Sequence, residues 1–394
     1  MKILITGSTY PPALNGQSVF TANLAEGLAQ RGHEVWVATN SEYGKPYQID
    51  HNGVHIFTIS AAEIKFLHSQ AYVNLLPQRE AARVFDHFTP EIIHLHDHYP
   101  LSQSLLAAAR RRGIPTVGTN HFMPENLAPY VPLLPRLWPV FSRLLWWWMK
   151  LVYNRLDLVT APSRTAAGIL KAQGLRPPVA PVSCGVNFNR FHPDPGVDRA
   201  AVRRKYDLDP TRTTFLFVGR VDAEKKVDVL IRAVKRLNRP DIQLAVTGNG
   251  AALNHYQSLV RELGVQEQVR FTGFVLDQDL PRLLNSVDIF SMPSEAELLS
   301  IASLEAMATA RPLLVARSKA LPELVADGEN GYLFEPGNVE DAARCMALLA
   351  DRPDCWPQMG AASLARVQPH SLQNVLARYE ELYAECLAQR AQRG

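Results

Sequence analysis

Apolar positions in the first hundred residues follow two alternating patterns. Short, nearly uninterrupted runs at Lys2–Thr6 (KILIT), His33–Ala38 (HEVWVA), Val54–Ile59 and Glu91–Leu95 (EIIHL) predict strands buried on both faces. Most are separated by segments with helical periodicity, the first from about Ser18 to Arg31, where Gly32 ends the helix. A proline–glycine loop, Tyr10–Gly16, links the first strand to that helix. A second series follows at Thr214–Val218, Gln243–Thr247, Val269–Phe271, Ile289–Met292 and Leu313–Ala316. This alternation predicts an α/β protein with two Rossmann-like parallel sheets covered by helices. The prolines between Arg176 and Pro195 fit neither a helix interior nor a central strand, so that run is read as the domain connection. The expected domains are 1–180 and 181–371. Open parallel sheets bind ligands outside the carboxyl ends of their strands, so two facing sheets predict an interdomain cleft.

Length and composition agree with two ordinary cores: 394 residues, 47% hydrophobic and 20% charged. Lys plus Arg (41) nearly balances Asp plus Glu (38), giving +3, which argues against nucleic acid as a partner and leaves room for one basic patch. Four widely spaced cysteines predict reduced, packed thiols and a cytoplasmic setting. The opening MKILITGS reads as a buried strand rather than a signal peptide. The most apolar stretch, Leu137–Tyr153, is 17 residues long and contains Arg143 and Lys150, which argues against a transmembrane helix. The chain is expected to be soluble or to bind a membrane from one side.

Three constellations carry candidate chemistry. In the first, Pro293-Ser-Glu-Ala-Glu297-Leu-Leu-Ser300, a strand end leads into a helix with Ser300 as N-cap, and helix N-termini suit phosphate. Glu297 and Glu305 would stand about 12 Å apart on a continuous helix. That exceeds the roughly 5–5.5 Å of a retaining hydrolase pair. They either touch different parts of one long ligand or are two surface glutamates. In the second, Arg220 and Lys225 follow the Thr214–Val218 strand and suit a diphosphate, the alternative being a solvated charge run. In the third, the opening loop, Gly16 permits close backbone approach to a ligand or simply makes a turn. His94, His96 and His98 form HLHDH, where alternation on a strand could bring imidazoles to a metal.

Together and in this order, these pieces resemble the family 4 glycosyltransferases, retaining nucleotide-sugar enzymes of the GT-B fold. The resemblance includes PP-x-x-x-G, IIHLH, Thr119-Asn120-His121, Ala161-Pro162-Ser163, Cys184-Gly-Val-Asn187 with Phe191-His-Pro193, and Gly219-Arg220 with Glu224-Lys225. Gly248-Asn-Gly250, Phe271-Thr-Gly-Phe274, the Glu297/Glu305 pair and Leu321-Pro-Glu-Leu324 with Asn330-Gly331 complete it.

The resemblance implies that Arg220 and Lys225 neutralise the donor diphosphate and that Glu305 holds the ribose. It implies that Glu297 binds sugar hydroxyls, with the backbone at Leu299, Ser300 and Ile301 around sugar and phosphate. Gly16 would bring its amide to the diphosphate, His121 would orient the sugar, and the loop ending at Val275 would line the base. A terminal helix, within 372–394, would cross back to the N-terminal domain. No bound metal or cofactor is implied, because cationic side chains and helix N-termini take that role. Two departures stand out: Asn15 precedes Gly16 where the family often has glycine, and Ser300 replaces a usual glycine. His96, His98 and Asn15 are placed on the acceptor side.

Arg136–Arg155 (RLWPVFSRLLWWWMKLVYNR) contains four basic residues and no acidic one. Arg136, Arg143 and Lys150 are seven apart, and Trp147 joins their helical face. An interfacial membrane helix has this composition. The alternative is a core helix with Leu144, Leu145 and Trp146 turned inward. The resemblance favours an anionic membrane surface as partner, with Asn126 in a loop similar to that of diacylglycerol-directed members. The expected function is hexose transfer from a nucleotide-diphosphate sugar, UDP-glucose foremost, to a membrane lipid such as diacylglycerol, by a peripheral protein on the inner face of the membrane. The alternatives are a soluble acceptor (inositol phosphate, a polysaccharide or a small metabolite) and a non-catalytic sugar-nucleotide scaffold.

Overall fold

The structure, a computed structural model, describes residues 1–11, 16–63, 72–125 and 137–392. Asn15, Asn126 and Arg136 lie outside the described residues. The chain forms two compact units, Met1–Cys184 with Leu372–Gly394, and Gly185–Ser371.

The strands of the first unit are β1 (Lys2–Thr6), β2 (Glu34–Asn40), β3 (Gln48–His51), β4 (Val54–Ile59), β5 (Ala62–Glu63), β6 (Tyr72–Val73), β7 (Ile92–Leu95), β8 (Thr116–Thr119), β9 (Leu158–Ala161) and β10 (Val179–Pro181). Its main sheet has the order β10-β9-β8-β7-β1-β2-β4-β3, parallel except for β3, which runs antiparallel to β4. β5 and β6 form a separate antiparallel pair. The central strands are buried, the polar Thr6, His94, Thr116 and Thr119 included, because α1 (Gly16–Gln30), α2 (Gln78–His87), α3 (Pro100–Arg111), α4 (Trp138–Tyr153) and α5 (Arg164–Ala172) are the crossover helices of this sheet.

The second unit has six parallel strands: β11 (Thr213–Val218), β12 (Ile242–Thr247), β13 (Val269–Gly273), β14 (Ile289–Met292), β15 (Leu313–Ala316) and β16 (Gly331–Phe334). Their order is β13-β12-β11-β14-β15-β16. Its helices are α6 (Arg199–Lys205), α7 (Val227–Leu237), α8 (Leu253–Leu263), α9 (Leu280–Ser286), α10 (Ile301–Ala308), α11 (Val339–Ala350) and α12 (Trp356–Val367).

The last helix, α13 (Leu372–Ala391), packs in the first unit. Glu380 accepts from His33 at 2.7 Å and pairs with Arg31 at 2.8 Å. Gly27 leaves room for Leu376, whose Cδ1 would stand 2.6 Å from a Cβ at that position.

Two expectations are corrected. The proline-rich run is not wholly a connection, since Val179–Pro181 pairs with β9 as the sheet's edge strand, where a missing proline N–H breaks no central ladder. Glu297 is not on a helix, because α10 begins only at Ile301. The helical spacing between Glu297 and Glu305 therefore does not apply.

Candidate functional site

The site in the second unit is built at the carboxyl ends of β11, β12 and β14, which the sheet order makes neighbours. After β11 the chain enters Gly219-Arg220-Val221, and after β12 Gly248-Asn249-Gly250. The two loops interlock: Val221 N–H donates to Asn249 O at 2.9 Å, and Ala252 N–H to Val221 O at 2.9 Å. A Cβ on Gly248 would lie 2.0 Å from the Gly219 carbonyl oxygen, and its φ of +124° suits only glycine.

Arg220 pairs with Asp222 and, at 2.8 Å, with Glu224. Asp222 also accepts from the Ala251 N–H at 2.8 Å, so it ties the arginine loop to the glycine loop. Lys225 Nζ reaches Glu297 Oε1 at 2.6 Å and Glu224 at 3.8 Å. Arg220, Lys225 and Glu297, separated in sequence, thus belong to one charged cluster. Burial raises the Glu224 carboxyl above its ordinary value, against the opposing pull of Lys225 and Arg220. Asp222 and Glu224 were not anticipated as site residues, although both lie in the charged run after β11 and Glu224 stands in the Gly219-Arg220 and Glu224-Lys225 motif.

Ser300 is the N-cap of α10, with its hydroxyl accepting from the Ser303 N–H at 3.2 Å. Its φ of −88° is open to any residue, so serine replaces glycine here without backbone strain. Leu299 is buried, and Ile301 opens the helix. Glu305, one turn on, is partly exposed. Burial pushes its carboxyl up to about 8, with Arg190 opposing and Asp277 adding to the rise. Val275 is buried just beyond β13, between exposed Phe274 and Leu276.

In the first unit, Gly16 opens α1, so its amide belongs to the helix's first turn, whose N–H groups have no acceptor within the helix itself. Of the three histidines of HLHDH, His94 and His96 meet, Nδ1 to Nε2 at 3.4 Å, and His98 does not join them. His94 joins Tyr383 and Thr119, each at 2.7 Å, and His96 joins Thr21 at 2.6 Å. His98 turns away into an aromatic pocket, 4.5 Å from Trp148 and 4.9 Å from Tyr99 between ring centres. The strand alternation behind the metal reading ends at Leu95, where β7 stops. Among the described residues no group of three His, Cys, Asp or Glu is arranged to hold a metal ion. Both His96 and His98 are buried, so the acceptor-side placement does not give them an open face. His121 is partly exposed and rests 4.8 Å from the Phe20 ring centre. Its buried Nε2 has no hydrogen-bond partner among the described residues, and burial lowers its pKa to about 3, so it stands as a neutral imidazole.

Helix α4 turns Trp146, Met149, Val152 and Tyr153 inward. Leu137, Val140, Leu144, Trp147 and Leu151 recur at alternating three- and four-residue spacing and are 48–65% exposed. Arg143 is exposed beside them and Lys150 partly so. Leu144 does not pack inward as the core-helix alternative required. Among the described residues, no helix is long and apolar enough to cross a membrane.

Residues 14–190 match the family described as Glycosyltransferase Family 4, and residues 198–360 match Glycosyl transferases group 1. The chain belongs to glycosyltransferase family 4. This glycosyltransferase is 25% identical to a GDP-mannose-dependent alpha-mannosyltransferase of Corynebacterium glutamicum, over 98% of this chain and 90% of the relative. It is 29% identical to a D-inositol 3-phosphate glycosyltransferase of Streptomyces scabiei, over 94% of this chain and 86% of the relative. Its fold is GT-B, matching sucrose-phosphate synthase from Thermosynechococcus elongatus with a TM-score of 0.83 at 20% identity, over 98% and 99% of the two chains. The enzyme is a retaining, nucleotide-sugar-dependent glycosyltransferase.

Proposed function

We propose that the enzyme moves glucose from UDP-glucose to a membrane lipid such as diacylglycerol at an anionic surface, without a metal ion. The donor diphosphate lies against Arg220 and Lys225, whose fixed charges stabilise the leaving group as its bond to the sugar breaks. The donor displaces Glu297 from Lys225, and that carboxylate turns to the sugar hydroxyls. Glu305 accepts from the ribose, while the α10 N-terminus at Leu299, Ser300 and Ile301 faces sugar and phosphate. His121, neutral, orients the sugar by hydrogen bonding, and the Gly16 amide meets the diphosphate. The acceptor hydroxyl attacks the anomeric carbon on the face from which the diphosphate leaves. Its proton passes to the departing phosphate oxygen, one C–O bond forms as another breaks, and configuration is retained.

The observation that carries the lipid acceptor is the outer face of α4, where five exposed apolar side chains stand with Arg143 and Lys150 on a helix without an acidic residue. Apolar side chains enter the headgroup boundary, and each basic residue near an anionic surface contributes about 1 kcal/mol. The enzyme should sediment with phosphatidylglycerol vesicles and be released as salt shortens the screening length below about 10 Å. Arg143→Glu with Lys150→Glu should weaken vesicle binding and lipid glycosylation together and leave donor hydrolysis in detergent unchanged. Wild-type protein that ignores such vesicles at low salt would overturn the lipid reading. A soluble inositol phosphate acceptor is the second reading, favoured by the name of the Streptomyces scabiei relative. It predicts product formation without vesicles.

A further inference from the structure

The second unit has an open recess of about 620 Å³ lined by Arg190, Leu276, Asp277, Gln278 and Pro281, of which Arg190 and Asp277 lie near enough to Glu305 to act on its charge. That volume is within the range of small-ligand sites. Arg190 is clamped within it. Its guanidinium carbon lies 4.7 Å from the centre of the Phe191 ring. Its Nη2 donates to the main-chain oxygen of Asp277 and pairs with Asp277 Oδ1 at 2.5 Å. Among the described residues the guanidinium makes no other hydrogen bond. The Asp277 side chain is 81% exposed. A rigid donor fork and an open carboxylate thus stand side by side.

The inference rests on the donor site proposed above: with the ribose on Glu305, the attached base comes within reach of this recess. We propose that Arg190 and Asp277 together read the lactam edge of the donor nucleobase. A lactam sets a carbonyl oxygen beside a ring N–H, O4 and N3–H in uracil or O6 and N1–H in guanine. The guanidinium donates to the carbonyl and the carboxylate accepts from the N–H. Adenine and cytosine place an amino group and an unprotonated ring nitrogen at the same two positions. Donor then faces donor, and a lone pair faces the carboxylate. A base anchored through its ribose cannot exchange the two partners without leaving the recess. Sites built to hydrogen-bond one edge discriminate strongly against its reverse, because mismatched polar groups stay unpaired.

The test is calorimetric titration of the full-length enzyme with UDP, GDP, ADP, CDP and inorganic pyrophosphate. Wild type should bind UDP and GDP at least about tenfold more tightly than ADP and CDP, the scale of one well-placed hydrogen-bonding pair. Arg190→Ala should bring all four nucleotides within about threefold of one another while pyrophosphate binding is unchanged. Asp277→Asn, whose amide can donate to a ring nitrogen, should raise CDP affinity relative to UDP. Equal binding of the four by wild type, a preserved preference in Arg190→Ala, or a parallel loss of pyrophosphate binding would overturn base reading and leave the donor site standing. Absence of binding by every nucleotide and by pyrophosphate would overturn the donor site and this inference with it.

Discussion

Lys225→Ala is the most informative single change in the charged cluster. In the donor-free protein two cations, Arg220 and Lys225, face three carboxylates, Asp222, Glu224 and Glu297. The cluster therefore has no surplus positive charge when all are ionised, and removing Lys225 leaves Glu297 without its cation at 2.6 Å. The lysine and Glu297 side chains are 18% and 12% exposed. Breaking a wholly buried pair costs about 3–5 kcal/mol, and partial exposure discounts this to about 1–2 kcal/mol. For a unit of this size that corresponds to a fall in Tm of roughly 2–8 °C. Turnover should fall further, by about 10²–10³-fold, or about 2.7–4 kcal/mol, the scale of losing one electrostatic donor aimed at developing charge. Lys225→Arg should recover part of the turnover, and Glu297→Gln should lower turnover with less than about 1 kcal/mol lost in stability, since the amide oxygen still accepts from Lys225. Donor turnover at saturating UDP-glucose and a thermal melt on the same preparations measure both quantities. Folded Lys225→Ala with turnover within threefold of wild type would refute the diphosphate assignment.

Glu305 gives a pH dependence with a defined sign. Burial lifts its carboxyl to about 8, so below that pH the empty site holds the protonated form. Ribose hydroxyls donate best to the carboxylate, so donor binding releases a proton, and UDP-glucose affinity should rise between pH 6 and 8, by at most about tenfold per unit. Glu305→Gln should flatten that rise, and titration at several pH values checks it. The same lift affects folding: the native state binds the extra proton between the unfolded value of 4.5 and about 8, so this group's contribution to stability is lost as pH rises through 8. Gly248→Ala should destabilise the second unit by about 2 kcal/mol or more, because its Cβ meets the Gly219 carbonyl at 2.0 Å, and a melt reads the effect. Turnover should survive excess EDTA, whereas loss restored by Mg²⁺ or Mn²⁺ would contradict metal independence.

Much of the fold was legible because buried parallel strands leave apolar runs that few other structures need. β1, β4, β14 and β15 begin and end at the residues their runs suggest. β3 was not visible: Gln48–His51 is exposed throughout and pairs only at the sheet edge, so no burial pattern marks it. β8 is four residues with Gly118 inside, where Leu156 Cδ1 fills the space a Cβ would take. Such a segment is defined by its neighbours rather than by its own side chains. Arg220, Lys225 and Glu297 were each legible as chemistry, but their meeting was not, because it depends on β11 lying beside β14. The Arg190–Asp277 clamp depends in the same way on contacts 87 residues apart. Helix α4 is apolar on two faces, each with three- and four-residue spacing, and only packing decides that Trp146 turns inward and Trp147 outward.

The most direct measurement of the account is product analysis after incubating the enzyme with isotopically labelled UDP-glucose and phosphatidylglycerol vesicles carrying diacylglycerol, in the presence of EDTA. The account predicts label in a glycolipid whose anomeric proton shows the α configuration of the donor. Label that enters no lipid, or a β-linked glycolipid, would contradict it.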